Sequence, residues 1–153
     1  MPLYIRHGND ETTSYYKQDT RLNQSFKQDI ITVTQELIKQ YGYPDKIYCS
    51  PFKRARETLN VMMTLIKCPV FIDSNLSRFF SEKETLNPKV RPSTLKYNPP
   101  IQESKQEFKY RADHLKYKGN VWCITHFLII KRTAKRAAKH VPHTMPFLYH
   151  LFI

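Results

Sequence analysis

The sequence predicts an α/β protein in which helices cover a mostly parallel sheet. Short apolar runs bounded by turn-forming residues alternate along the chain with segments of helical periodicity. The run 121–125, VWCIT, is almost wholly apolar, which is typical of a strand in the centre of such a sheet. The 153 residues show no internal repeat and no linker, so residues 1–153 are predicted to form one domain.

The first strand and the first helix are predicted within residues 2–44. PLYIR, residues 2–6, forms the strand. Asn23 can cap a helix over 24–41, because its side-chain oxygen can accept a backbone N–H of the first turn. Gly42 and Pro44 end that helix. Its apolar residues recur every three or four positions and share one face: Phe26, Ile30, Val33, Leu37 and Tyr41.

The second strand is predicted at 46–50, KIYCS. Ser50 is placed to cap the following helix, and Pro51 suits its first turn because the ring fixes a helical φ. This helix is predicted to reach about residue 66, and CPVFID at 68–73 forms the third strand. The helix presents one apolar face: Ala55, Leu59, Met62 and Ile66.

The second half of the chain begins with a long irregular segment at 74–102, which contains four prolines and is a candidate lid over a site. A helix is predicted at about 102–117, with Phe108, Ala112 and Leu115 inward. The strand 121–125, a helix over 127–141 and a last strand at 145–153 complete the chain.

The net charge of +12 favours polyanionic partners: phosphorylated small molecules, phosphoproteins, nucleic acid or an acidic protein surface. Part of this charge lies on the helix 127–141, where Lys131, Lys135 and Lys139 are four residues apart. Arg132, Arg136 and His140 flank them, and the opposite stripe is expected to be buried: Ile130, Ala134, Ala137 and Val141. The plain interpretation is a solvated basic face, and the alternative is a binding surface for an acidic protein or assembly. Nucleic acid is disfavoured, though not excluded, because no nucleic-acid-binding motif accompanies the charge.

The cysteines predict a reducing compartment. Cys49, Cys68 and Cys123 are odd in number and have no close spacing, so free buried thiols are expected instead of a disulfide or a metal site. No apolar stretch approaches the ~20 residues of a membrane span, and no secretory signal is visible. We therefore expect a cytoplasmic protein without a membrane partner.

Three predicted strands end in polar side chains, most of them arginines and histidines. The first ends at Arg6 and His7, the second at Ser50 with Arg54 shortly after it, and the fourth at His126. Because ligands of parallel sheets bind beyond the carboxyl ends of the strands, these groups are expected at one edge. Guanidinium groups bind phosphate through paired N–H donors, and a neutral imidazole can attack phosphorus. The residues alone therefore favour phosphoryl transfer through His7.

Several motifs resemble the histidine phosphatase superfamily, the phosphoglycerate mutase-like phosphatases. LYIRHG at 3–8 is similar to the N-terminal signature of that family, and DTRLN at 19–23 to the segment before its first helix. YCSPFKRARETL at 48–59 resembles its second signature, and ESKQEFKYR at 103–111 the helix before its last core strand. VWCITH at 121–126 resembles the strand that carries its second catalytic His. The resemblance covers nearly the whole chain.

The resemblance implies a three-layer α/β/α sandwich, of the compact phosphatase type, with no metal and no organic cofactor. It implies that His7 accepts the phosphoryl group, that Arg6 and Arg54 hold the phosphoryl oxygens, and that His126 donates to the same group. Gly8 is expected to let the backbone turn sharply beside the phosphate.

The chain departs from the family pattern where a general acid is expected. The family that the chain resembles usually has a Glu just after the third strand, and here NLSRFF places Arg78 there. Glu82 and Glu84 are the candidate replacements, and Asp10 and Glu11 are alternatives near His7. Each is otherwise a solvated loop carboxylate.

Three further positions bear on the site. Glu103 matches a family position that we interpret as mainly structural. Asn9 and Phe127 replace the Glu and Gly that are common after the two His motifs, and Phe127 could narrow the pocket.

The leading interpretation is a phosphatase that hydrolyses phosphomonoesters or phosphoproteins through a phosphohistidine. Without a general acid, leaving groups that need little protonation are favoured: aryl phosphates, acyl phosphates and protein phosphohistidine. The alternative is a catalytically impaired pseudo-phosphatase that serves as a binding or structural module for an acidic partner. A mutase is disfavoured by the short chain.

Overall fold

A computed structural model describes residues 2–8, 21–81, 102–137 and 150–152. These residues form a five-stranded sheet in the order β3-β2-β4-β1-β5. The first four strands along the chain are parallel and β5 is antiparallel to β1, which confirms the mostly parallel sheet. The strands are β1 Leu3–Arg6, β2 Lys46–Cys49, β3 Val70–Ile72, β4 Val121–Thr125 and β5 His150–Phe152.

Within the described ranges, four helices cover the two faces of this sheet, so the predicted three-layer sandwich is confirmed. They are α1 Lys27–Tyr41, α2 Lys53–Met62, α3 Lys105–Asp113 and α4 Phe127–Ala137. Helices α1 and α2 pack against each other on one face, and α3 packs against α4 on the other.

The alternation of side chains along the strands divides the core between these faces. Leu3 and Trp122 point toward α1 and α2, as part of a cluster with apolar residues of both helices. Their neighbours Tyr4 and Cys123 point the other way, into a second cluster with Ile130 of α4. Successive side chains of a strand point to opposite faces, so the central strands must be apolar throughout. This is the reason why VWCIT carries almost no polar residue.

The register places the carboxyl ends of the three adjacent strands β2, β4 and β1 at one level. Arg6 of β1 pairs with Thr125 of β4, and Cys49 of β2 pairs with Ile124. The ladder continues past both ends, because the His7 N–H donates to the Thr125 carbonyl at 3.0 Å and the Ser50 N–H to the Ile124 carbonyl at 2.8 Å.

Helix α1 follows the predicted pattern. A 3-10 turn at Gln24–Phe26 precedes it, and the Asn23 carboxamide oxygen accepts the Ser25 N–H at 3.1 Å, so Asn23 is a cap as predicted. Ile30 and Leu37 are buried, and Val33 and Tyr41 are half-buried.

Helices α2 and α3 are shorter than predicted. The 51–66 helix occupies only Lys53–Met62, and its N-cap, Phe52, makes no side-chain capping bond. The predicted capping role of Ser50 was wrong, because α2 begins at Lys53 and Ser50 lies two residues before its N-cap. The 102–117 helix occupies Lys105–Asp113, where Ser104 and Glu107 form a reciprocal capping box.

Several predictions fall partly or wholly outside the described residues. Of the irregular segment 74–102, the structure describes a 3-10 turn at Ser74–Leu76, the residues up to Ser81, and Gln102. Residues 82–101, and with them the proposed lid, lie outside the described part, as do 9–20 and 138–149.

The basic face of α4 is only partly solvated. Lys131 is exposed, but Arg132 donates to both carboxylate oxygens of Asp113, at 2.9 and 2.7 Å, and so joins α4 to α3. Ile130 is buried as predicted, together with Ile129 and Thr133. Lys139, His140 and Val141 lie outside the described residues, and the side chains of 134–137, Lys135 and Arg136 included, are not described.

All three cysteines are free thiols, and the predicted burial is confirmed for two of them. Cys49 and Cys123 are buried, and burial raises the pKa of both thiols, while Cys68 is half-buried. None of the described helices combines the length and the apolar composition needed to cross a bilayer.

Gly8 is required by close packing, while the turn expected beyond it leads into residues that the structure does not describe. The positive φ values of described glycines belong to Gly42 and Gly119. A Cβ at Gly8 would lie 2.7 Å from Leu22 Cδ1 and 3.0 Å from Ile30 Cδ1. Both of these side chains are fully buried, so they have little room to move.

Replacing Gly8 with Ala should therefore destabilise the protein by about 1–3 kcal/mol, the usual cost of overpacking a core. Urea denaturation of the wild type and of Gly8→Ala measures this difference. In the Leu22→Ala background the same change should cost less, because the nearest methyl group is gone. An equal cost in both backgrounds would contradict the packing explanation.

Candidate active site

The residues that directly follow β1, β2 and β4 meet at one edge of the sheet. They are His7, Ser50 and His126, all three buried. The two imidazole rings lie 4.9 Å apart between centroids. The strand order and register thus bring together the polar strand ends that the sequence singles out.

The hydrogen bonds of His7 fix its tautomer. Nδ1 lies 2.6 Å from the Gly8 carbonyl oxygen, which can only accept, so Nδ1 carries the proton. Nε2 accepts the Nε–H of Arg54 at 3.0 Å. His7 is therefore a neutral imidazole whose Nε2 lone pair faces the guanidinium of Arg54.

Arg54 fixes the second imidazole in the same way. Its Nη2 lies 3.4 Å from Nδ1 of His126, and since a guanidinium has no acceptor, this nitrogen must be unprotonated. The proton of His126 is then on Nε2, which donates to the Ser50 hydroxyl oxygen at 2.8 Å. The same oxygen accepts the Phe52 N–H at 3.3 Å, so Ser50 holds the ring from the side opposite Arg54.

The pKa of His126 lies well below the ordinary value of 6.5. Burial is the main cause, because it disfavours the charged ring, and the neighbouring groups His7, Arg54, Arg78 and Arg111 lower the pKa further. At neutral pH His126 is thus an acceptor at Nδ1. The donor role expected from the resemblance requires that this nitrogen first takes up a proton.

Helix α2 is tied to the end of β1 through Thr58. The Thr58 hydroxyl accepts the Gly8 N–H at 2.9 Å and donates to the Arg54 carbonyl at 2.7 Å. The first turn of α2, which carries Arg54, is thereby held at a fixed distance from His7. Phe52 packs edge-on against His126, with 5.0 Å between the ring centroids.

A cavity of about 210 Å³ opens over these groups, lined by Arg6, His7, Arg54, Arg78, Phe79, His126, Phe127 and Leu128. Three of the lining residues are arginines, so the cavity is strongly cationic. Arg6 lies 5.7 Å from the centroid of the Phe127 ring. Phe127 forms part of the wall, as the sequence suggested.

Arg78 is held in this cavity by specific contacts. Its Nη1 donates to the Phe79 carbonyl at 2.8 Å. Its guanidinium carbon lies 5.5 Å from the centroid of the Phe52 ring and 5.1 Å from that of Phe80, both within cation–π range. The position where a Glu was expected therefore holds a third positive charge at the site.

No carboxylate among the described residues lines this cavity. Glu103 forms a two-pronged ion pair with Arg111, whose Nη1 also donates to the Asn75 carbonyl at 2.6 Å, which agrees with a structural role. The candidate acids Glu82 and Glu84, and the alternatives Asp10 and Glu11, lie outside the described residues. Within the described ranges, no group of three or more His, Cys, Asp or Glu could hold a metal ion.

Phe52 and Thr58 escaped sequence reasoning at this site, and so did the hydrogen bond of Ser50 to His126. Ser50 was interpreted as a helix cap, since a Ser before a Pro at a helix start is the usual signal. Thr58 lies four residues after Arg54, on the same side of α2, and that spacing was the available signal. Nothing in the sequence distinguished Phe52 from an ordinary core aromatic.

The sequence profile of the histidine phosphatase superfamily (branch 1) matches residues 3–146. The chain belongs to this superfamily, as its motifs had indicated. A search of curated proteins finds no significant match.

Solved structures of this superfamily share the fold at low sequence identity. SixA, a protein histidine phosphatase complexed with tungstate, has a TM-score of 0.55 at 15% identity, over 95% of this chain and 79% of that one. Phosphoserine phosphatase from Entamoeba histolytica, in complex with 3-phosphoglyceric acid, has a TM-score of 0.56 at 18% identity, over 99% and 89%. A protein provisionally assigned as the phosphohistidine phosphatase SixA of Nakamurella multipartitia has a TM-score of 0.54 at 15% identity, over 87% of this chain. The present chain spans only 63% of that protein.

The lowered pKa of His126 makes a prediction about stability. The unfolded chain takes up a proton as the pH falls below 6.5, whereas the folded protein does not, so the free energy of unfolding decreases with falling pH. The slope due to this one group reaches at most about 1.4 kcal/mol per pH unit. Urea denaturation between pH 7.5 and 5.5 measures it.

His126→Gln should flatten this pH dependence, whatever its effect on absolute stability. The control is His114→Gln, an exposed histidine of the same chain, which should keep the wild-type slope. Parallel slopes for wild type and His126→Gln would contradict the prediction.

Proposed function

We propose that this protein is a phosphatase that hydrolyses phosphomonoesters or phosphoproteins through a phosphohistidine on His7. The observation that carries the proposal is the tautomer of His7. Nδ1–H is bonded to the Gly8 carbonyl, and the Nε2 lone pair lies in a cationic cavity. A neutral imidazole held in this way is a competent nucleophile toward phosphorus.

In the first step the Nε2 lone pair attacks phosphorus and the bond from phosphorus to the leaving oxygen breaks. The leaving oxygen takes that electron pair and needs a proton. In the free protein Arg54 donates to this lone pair, so the incoming phosphoryl group takes over that bond, with its oxygens accepting from Arg54. Water then attacks phosphorus and the bond from phosphorus to Nε2 breaks, with its electron pair returning to Nε2. A proton of the water passes to a phosphoryl oxygen, and inorganic phosphate and neutral His7 are released.

Arg6, Arg54 and Arg78 would hold the phosphoryl oxygens, whose charge is spread over three equatorial positions during transfer. His126 would add a fourth donor at Nδ1 once a proton is bound there. A bound dianion favours this protonation, since an opposite charge beside a base raises its pKa. Ser50 keeps the ring oriented by holding the other nitrogen.

The leaving oxygen needs a proton donor. Glu82 and Glu84 remain our candidates for the acid, and no described carboxylate lines the cavity. General acid catalysis contributes roughly 10²–10⁴-fold, so an enzyme without it depends on leaving groups that are stable as anions or that protonate easily. We therefore place aryl phosphates, acyl phosphates and protein phosphohistidine first among the substrates. The proposed reaction uses no cofactor and takes place in a reducing, cytoplasmic setting.

The comparisons support this proposal at the level of class. The superfamily is one of phosphatases, and the structures similar to this chain include a protein histidine phosphatase with tungstate and a phosphoserine phosphatase. Tungstate resembles phosphate in shape and charge, so it is a suitable probe for the cavity of this chain.

One observation favours the alternative, a pseudo-phosphatase that binds an acidic partner. Arg78 occupies the place of the expected acid and is held there by the Phe79 carbonyl and by two aromatic faces. A site with three arginines can retain phosphate binding after turnover is lost. The two functions differ in whether a phosphoryl group on His7 is ever hydrolysed.

Phosphatase activity should depend on the leaving group. The wild type should hydrolyse 4-nitrophenyl phosphate with a kcat/KM at least about 10²-fold above that for glycerol phosphate, because the described site offers no acid for an alkoxide. Steady-state release of phosphate from the two substrates measures the ratio.

His7→Ala should reduce the aryl phosphatase activity to the rate without enzyme, and His114→Gln should retain it. Equal rates with both substrates would mean that an acid is present, and Glu82→Gln and Glu84→Gln would then locate it. If tungstate binds but no substrate is turned over, the phosphatase proposal is wrong and the binding module is favoured.

Arg78→Gln should weaken tungstate binding by about 10- to 100-fold, the usual loss for a charge-assisted hydrogen bond. Isothermal titration calorimetry measures the dissociation constant. Lys39→Gln is a matched control: this exposed lysine in the last turn of α1 lies near the amino ends of the strands, and its removal should leave the constant unchanged. An unchanged constant in Arg78→Gln would exclude Arg78 from oxyanion binding.

A further inference from the structure

A second cavity of about 280 Å³ adjoins the candidate active site. Phe79 and Leu128 line both cavities, so the two lie side by side at this point. The other lining residues come from α3 and α4: Lys105, Phe108, Lys109, Lys131 and Arg132. We refer to this cavity as the lysine groove.

The floor of the lysine groove is apolar. Phe79, Phe108 and Leu128 form it, and the rings of Phe79 and Phe108 pack with centroids 5.2 Å apart. Leu128 is 45% exposed and its neighbour Phe127 is 41% exposed, so large apolar side chains are presented to solvent beside the phosphate cavity. Exposed apolar surface of this kind, next to a site, is typical of a binding surface.

The rim of the groove is cationic. Lys105 and Lys109 lie one turn apart on α3, and Lys131 lies on α4 with its Nζ 5.9 Å from the centroid of the Phe127 ring. All three lysines are exposed, and none forms an ion pair with another described residue. Arg132 also lines the groove, but its charge is balanced by Asp113.

The acidic residues of this region are already engaged. Glu103 is bound to Arg111, and Asp113 to Arg132. Glu107 accepts the Ser104 N–H at 2.8 Å within the capping box. The three lysines therefore give the groove a net positive charge that the described part of the protein does not balance.

We infer that the lysine groove binds an acidic segment of a phosphoprotein substrate, next to the phosphorylated residue in the active site. This inference rests on the proposed function. A cavity of about 280 Å³ is slightly smaller than the usual small-molecule site and suits one apolar side chain. Carboxylates on either side of that side chain would reach the lysines. Because the two cavities share Phe79 and Leu128, they are close enough for one extended peptide to occupy both.

The inference is tested with matched phosphotyrosine peptides, whose aryl leaving group needs little protonation. One peptide has Asp and Leu beside the phosphotyrosine, and the other has Asn and Leu. Wild type should show the higher kcat/KM for the acidic peptide. In the Lys109→Gln/Lys131→Gln double variant, kcat/KM for the acidic peptide should fall by about 2- to 30-fold, the effect expected for two exposed charge pairs. The fall should come from a higher KM, with kcat unchanged.

Two measurements on the double variant separate docking from a general effect. Its activity on the neutral peptide and on 4-nitrophenyl phosphate should match that of wild type. A control double variant, Lys39→Gln/Lys67→Gln, removes the same charge from two exposed lysines away from the groove and should behave as wild type with every substrate. Equal losses with all substrates, or no preference of the wild type for the acidic peptide, would overturn the inference.

A binding measurement decides the inference even if turnover is absent. Fluorescence anisotropy with the His7→Ala protein should give tighter binding of the labelled acidic peptide than of the neutral one, and the lysine substitutions should remove the difference. If the peptides bind in this way and the wild type does not hydrolyse them, the phosphatase proposal fails but the lysine groove is confirmed as a binding site. If a single-stranded RNA oligonucleotide binds more tightly than the peptide and depends on the same lysines, the groove is a nucleic-acid site and the inference fails.

Discussion

The alignment of β1, β2 and β4 at one edge of the sheet is the constraint on which the site depends. Because Arg6 pairs with Thr125 and Cys49 with Ile124, the next residues of all three strands emerge at one level. A shift of one position in either pairing would turn alternate side chains to the other face, and both the core and the site would be lost. The apolar strands therefore fill the core between the helix layers and also set the distance between the two imidazoles.

Arg54 fixes the protonation state of the two imidazoles that this alignment brings together. One guanidinium contacts both rings, and since it can only donate, each ring must offer an unprotonated nitrogen. The protonated nitrogen of each ring donates on the far side, from His7 to the Gly8 carbonyl and from His126 to the Ser50 hydroxyl. Two neutral imidazoles beside arginines form a site that is short of negative charge before any ligand arrives. An oxyanion would bind without prior rearrangement of the rings.

The sequence predicts the parts of this site that follow from strand order and residue type, and misses those that follow from packing. His7, Arg54 and His126 could be found because strand ends carry function in parallel sheets. The hydrogen bond of Ser50 to His126 could not be predicted, since a hydroxyl at a strand end is equally suited to capping a helix. Gly8 was expected to turn the chain, whereas its contacts with Leu22 and Ile30 exist only in three dimensions. Arg132 pairs with Asp113, 19 positions away on another helix, which periodicity cannot show. The Ser104–Glu107 capping box was readable in the sequence, yet the helix was predicted to begin before it.

Arg78 determines the balance between phosphate binding and turnover at this site. A third guanidinium strengthens the binding of a phosphate dianion, but a contact that is equally strong in the substrate, the transition state and the product lowers KM without raising kcat. The same contact slows the release of inorganic phosphate. A carboxylic acid in that place would do the reverse: it would repel the dianion when ionised and assist the leaving group when protonated. The exchange of one for the other therefore moves the site toward tight binding and toward substrates whose leaving groups depart unaided. On this argument a slow phosphatase with a narrow substrate class and a phosphate-dependent binding module are neighbouring outcomes of one cavity, and the chemistry of the leaving group decides between them.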